Sequence, residues 1–89
     1  MALISSFLGI LIYVYKEKNN PHHTPHVHAI FHEHTLAIAF DGTVLAGGLP
    51  RKQQKAVEAW VALREDELHA TWAALNEDGV VLKIKGLEA

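Results

Sequence analysis

The apolar pattern of this chain breaks at Gly47-Gly48-Leu49-Pro50, and the break separates two kinds of structure. Before it, β-branched and aromatic residues come in short runs divided by turn formers, which is how hairpin-linked strands are written. After it, Val57, Trp60, Val61, Leu68, Trp72 and Leu75 recur at three- and four-residue spacing and put one apolar stripe along a helix. Strands first and helix afterwards is the order of an α+β fold. At 89 residues the chain buries roughly 60–65% of its unfolded surface, enough for one core and therefore for one domain spanning residues 1–89.

The runs place the elements. Gly9 to Lys16 has the composition of a first strand, with Ser5-Ser6 ahead of it as a turn or loose start. A polar loop follows to Pro25. Second and third strands are expected at His26 to Phe31 and Thr35 to Phe40, joined by a turn at His32 to His34. Asp41-Gly42 favours the positive φ angles of a tight turn and predicts a fourth strand, Thr43 to Ala46. Pro50 suits the first position of a helix, where its missing N–H costs nothing. Arg64 interrupts the apolar stripe, and Glu65-Asp66-Glu67 has the acidic character of a new first turn, so a bend is expected there. Asn76 to Gly79 end the helical region, and Val80 to Lys85 alternates well enough to be a last strand. The expected fold is a small antiparallel meander of about four strands, one long helix with a bend packed on the sheet, and a C-terminal strand.

Composition removes several function classes. With no cysteine there is neither a disulfide nor a thiolate nucleophile or ligand, which fits a cytoplasmic home. A formal charge of −2 gives no global footprint for nucleic acid or anionic membrane. Ala2 to Tyr15 is nearly uncharged, yet no basic residue follows Met1 and the run is shorter than the ~20 residues of a spanning helix; it reads as buried strand, and no membrane association is expected.

Histidine is the unusual feature. Six of the seven lie between His22 and His34. On a strand, His26 and His28 leave the same face about two rises of ~3.3 Å apart, so their imidazoles can share a divalent transition metal such as zinc. A third ligand would come from Glu33, His34, His22 or His23. The same pair can work without metal, one ring taking a proton while the other donates, which suits phosphodiester cleavage. The plain alternative is that some histidines cap the sheet and the rest are solvated.

A second feature is Arg51, Lys52 and Lys55 in the first two turns of the helix, where the macrodipole favours acids. Anion binding by these cations and the helix amides would explain them, and with the histidines would imply RNA or another phosphate-bearing ligand. The plainer explanation, which the small cost of a misplaced charge favours, is that exposed cations here are of no consequence. Trp60 and Trp72 could stack on bases but lie on the apolar stripe and read as core.

Four blocks together resemble the bacterial domain of unknown function family 4160: Ile4-Ser5-Ser6-Phe7-Leu8-Gly9-Ile10, Thr24-Pro25-His26-Val27-His28, Gly48-Leu49-Pro50-Arg51, and Asp66-Glu67-Leu68 with Trp72. The resemblance covers most of the chain and implies a short meander, a helix and a last strand. His26 and His28 match the two histidines of the family's Pro-Pro-His-aromatic-His hallmark. Thr24 and Val27 depart from it, and His22-His23 lengthen the loop. At the second hairpin His32-Glu33-His34 matches the usual Gly-Glu-Tyr only at Glu33. The family carries no settled activity; its members often stand beside a gene for a small partner protein, which implies a toxin–antitoxin-like pair.

Three functional readings follow. The first is a small bacterial module whose His26 and His28 form a ligand or metal site, with Arg51 as an anion contact. The second is a ribonuclease or other phosphodiesterase with His26 and His28 as acid and base and Arg51 or Lys52 on the phosphate. The third is a non-catalytic interaction module whose exposed sheet edge or apolar N-terminus binds a partner subunit, a homo-oligomer being one form of it.

Overall fold

A computed structural model describes residues 2–15 and 24–87. Five strands form one antiparallel meander in chain order: β1 (Ala2–Phe7), β2 (Ile10–Val14), β3 (His26–Phe31), β4 (His34–Ala39) and β5 (Val44–Gly47). Helices α1 (Arg51–Leu63) and α2 (Glu65–Ala73) follow, and a wider π-helical turn, Ala74–Asp78, closes the helical region. Gly79 ends it at φ 68°, in the left-handed region that suits a glycine after a helix.

The meander has one strand more than expected. The Ser5-Ser6 segment is part of β1, which turns into β2 through Leu8 and Gly9 at φ 51° and 75°. Asp41-Gly42 makes the turn the sequence predicts: Gly42 lies at φ 96°, and the Thr43 N–H donates to Asp41 Oδ1 at 2.9 Å. That bond holds the exposed Asp41 carboxyl below its ordinary pKa. A depressed folded-state pKa contributes stability above the unfolded value of ~3.9 and loses it as pH falls through the folded value. The melting temperature of an Asp41→Ala variant should therefore differ from wild type at pH 7, with the gap narrowing below pH ~3.9; a gap constant down to pH 2 would contradict this.

Alternation divides the sheet. Ile10, Ile12, Val14, Val27, Ala29, Leu36 and Ile38 are buried and meet Val57, Trp60, Val61 and Leu68 of the helices in one core cluster. The helices therefore cover one face. The bend falls at Arg64, whose φ of −108° leaves the helical region. Its Nη1 donates to Glu67 Oε1 at 3.0 Å, so the acidic first turn of α2 holds the residue that makes the bend.

Val80 to Lys85 pairs in no ladder, which corrects the expected last strand. Its Ile84 N–H reaches the Ile4 carbonyl on the outer edge of β1 at 2.8 Å. Two of its carbonyls are taken from the other side: Lys85 O accepts from Trp60 Nε1 at 2.9 Å, and Leu82 O accepts from the Thr71 hydroxyl. Helix side chains satisfy the groups a neighbouring strand would otherwise need.

Candidate functional site

Odd and even residues of β3 point to opposite faces. Val27 and Ala29 enter the core, so His26 and His28 project from the face the helices leave uncovered. Their cross-strand partners on β4 are Ala39 and Ala37, and Tyr13 of β2 lies opposite His28. Both alanines are buried, so the two rings stand over small side chains that are already covered.

The rings converge. His26 Nε2 and His28 Nε2 are 3.1 Å apart, and His26 Nδ1 lies 2.6 Å from the Thr24 carbonyl oxygen. A carbonyl can only accept, so Nδ1 of His26 carries a proton. In neutral His26 the Nε2 atom then holds the lone pair, and His28 donates its Nε2 hydrogen across the pair. The Tyr15 ring stacks on His28 with centroids 4.3 Å apart and an interplanar angle of 19°. Both histidines are half-buried, and between them the carbonyl and the stacked tyrosine orient both rings.

Glu33 and His34 stand elsewhere. The β3–β4 turn consists of His32 and Glu33, and His34 pairs with Phe31, so it belongs to the row of Val27 and Ala29 rather than that of the histidine pair. From His26 to Phe31 is also five strand rises, about 16 Å. The two residues at the turn face each other instead, His34 Nε2 to Glu33 Oε1 at 3.8 Å, both exposed. Among the described residues no group of three metal-ligating side chains comes together. His22 and His23 lie outside the described residues.

Arg51, Lys52 and Lys55 occupy the start of α1, on the helix-covered side of the sheet. Arg51 and Lys55 line a shallow cavity with Leu49, Gln54 and Glu58. Gln54 turns its side-chain oxygen to the Leu49 N–H at 3.0 Å and its nitrogen to Glu58 at 3.3 Å. The sheet stands between this group and the histidines, so the structure does not bring the phosphate contacts and the imidazole pair to one site. Trp60 is buried in the core, as its place on the stripe predicts, and Trp72 packs against it.

Two contributors had no place in the sequence reading. Thr24 acts through its backbone carbonyl, and Tyr15 reaches His28 across the β2–β3 pairing. A signal for Tyr15 exists in the run Tyr13-Val14-Tyr15, whose alternation puts both tyrosines on the face opposite Val14.

Among the described residues no helix is long and apolar enough to cross a membrane. No curated protein and no solved structure matches the chain. A family model described as a domain of unknown function matches residues 9–73, from the β1–β2 turn through α2 and including His26 and His28. That match spans well over half of the chain, which therefore belongs to the DUF4160 family.

Proposed function

We propose that this protein binds a divalent transition metal ion, zinc being the type, through His26 Nε2 and His28 Nε2. The observation that carries this reading is the 3.1 Å separation of the two nitrogens. Two zinc–nitrogen bonds of about 2.05 Å span that distance at an angle of about 100°, close to tetrahedral. The metal would take the place of the single hydrogen the two rings now share. Ligating histidines characteristically donate their other ring N–H to a carbonyl or carboxylate, and the Thr24 carbonyl already receives that bond from His26.

The acid–base reading uses the same atoms, but among the described residues the cations it calls on, Arg51 and Lys52, stand at the start of α1 on the helix side of the sheet and not beside the pair. Metal content separates the two. After dialysis against zinc and then buffer, tag-free wild type should retain metal and the His26→Ala/His28→Ala double variant should not. Zinc held at a hundredfold excess over its dissociation constant should also stabilise wild type alone by about 2.7 kcal/mol. Equal metal in both proteins, or none in either, would overturn the proposal, and the second result would return the pair to proton transfer.

A further inference from the structure

We infer that the histidine pair is half of a metal site, completed by the same pair from a second copy of this chain packed against the face of the sheet opposite the helices. The inference rests on the metal reading above and names the partner. Zinc takes four ligands in a structural site, and the described residues bring only two nitrogens to the point where His26 and His28 converge. A two-fold axis through the metal would add two more and close a four-histidine tetrahedron. In such an interface each copy presents the same patch, so the surface has to be complementary to itself.

This face meets that condition. None of the five strands contains Asp, Glu, Lys or Arg, so two copies brought together along the sheet set no like charges against each other. Leu11, Tyr13 and Ile30 lie beside the histidines on the same face, Leu11 with 37% of its surface exposed. Thr35, paired with Ile30 on the same face, is exposed, so with Leu11 it gives a facing copy accessible surface beside the rings. The imidazoles are half-buried among these residues, which gives each metal ligand an apolar surround once two faces meet.

The arrangement predicts a stoichiometry, half a zinc ion per chain, and couples metal to mass. Full-length protein stripped with chelator and titrated with zinc chloride would be followed by analytical ultracentrifugation and by metal analysis of the separated species. The expected result is a monomer without metal and a dimer carrying one zinc per two chains. Thr35→Lys, an exposed position on this face and away from the metal, adds a charge to each facing copy and should raise the dimer dissociation constant at least tenfold while the monomer's circular dichroism and melting temperature stay as in wild type. The His26→Ala/His28→Ala variant should remain monomeric at every zinc concentration. One zinc per chain at monomer mass would overturn the shared site and leave the metal reading standing. A dimer that forms equally without zinc, or in the double variant, would also overturn it. No bound zinc at all would overturn both.

Discussion

Trp60→Ala should destabilise this protein by about 3–5 kcal/mol, the cost of truncating a buried aromatic whose space cannot collapse. Trp60 is fully buried between sheet and C-terminal segment, its ring 5.3 Å from that of Phe7 and its N–H on the Lys85 carbonyl. At roughly 0.05–0.15 kcal/mol per residue, a chain of this size has on the order of 4–13 kcal/mol in all, so the variant gives up a large part of its stability. A fall in melting temperature on the order of 20 °C is expected. The substitution removes two things that a second variant separates. Trp60→Phe keeps most of the apolar contact and deletes the donor to Lys85, a bond worth about 1 kcal/mol where the residue bearing the carbonyl is exposed and water can replace the donor. Urea denaturation of both variants measures the split. If Trp60→Ala came within 1 kcal/mol of wild type, the core would not be centred on this residue.

The C-terminal segment shows why such a contact escapes the sequence. Val80 to Lys85 has the alternation of a strand, and local pattern supports no other reading. What decides its structure is competition for its carbonyls by Trp60 and Thr71, which are 25 and 11 residues away from their acceptors. The missed first strand has a local cause. The β1–β2 register shifts between Leu3 and Ser5, and this bulge buries Ile4 and Ser5 in succession, so a period of two does not run through the segment. The Asp41-Gly42 turn, the helix start after Pro50 and the bend at Arg64 were legible because each is written in adjacent residues.

The histidine site was half legible for a related reason. That His26 and His28 share a face follows from alternation within one strand. Whether His34 joins them depends on the length of the intervening turn. A turn of His32 to His34 would set Phe31 opposite Thr35 and His28 opposite Ile38; the actual two-residue turn sets His28 opposite Ala37 and turns His34 to the other face. A slip of one residue reverses every assignment on the strand. Tyr15 and Thr24 flank residues 16–23, and no pattern within either strand sets their distance from the pair.

Gly47→Ala should destabilise the sheet by roughly 2–4 kcal/mol, within the range of mutations that strain a special backbone position. Gly47 lies at φ 70°, where a side chain costs about 1–2 kcal/mol. A Cβ there would also run into the Thr35 carbonyl oxygen, the atom that accepts the Gly48 N–H at 3.0 Å. That oxygen belongs to the backbone of β4, so relief requires β5 to move away. Because β5 is an edge strand of the described sheet, bonded to β4 on one side, it can move, and its amides should lose hydrogen-exchange protection before those of β3. Gly42 supplies the control: at φ 96° it has the same backbone demand, but no atom lies within 4 Å of an added Cβ. Gly42→Ala should therefore cost only the conformational part, about 1–2 kcal/mol. Equal losses in the two variants would mean that the backbone angle alone sets the cost and that β4 and β5 do not approach as closely at Gly47 as their pairing requires.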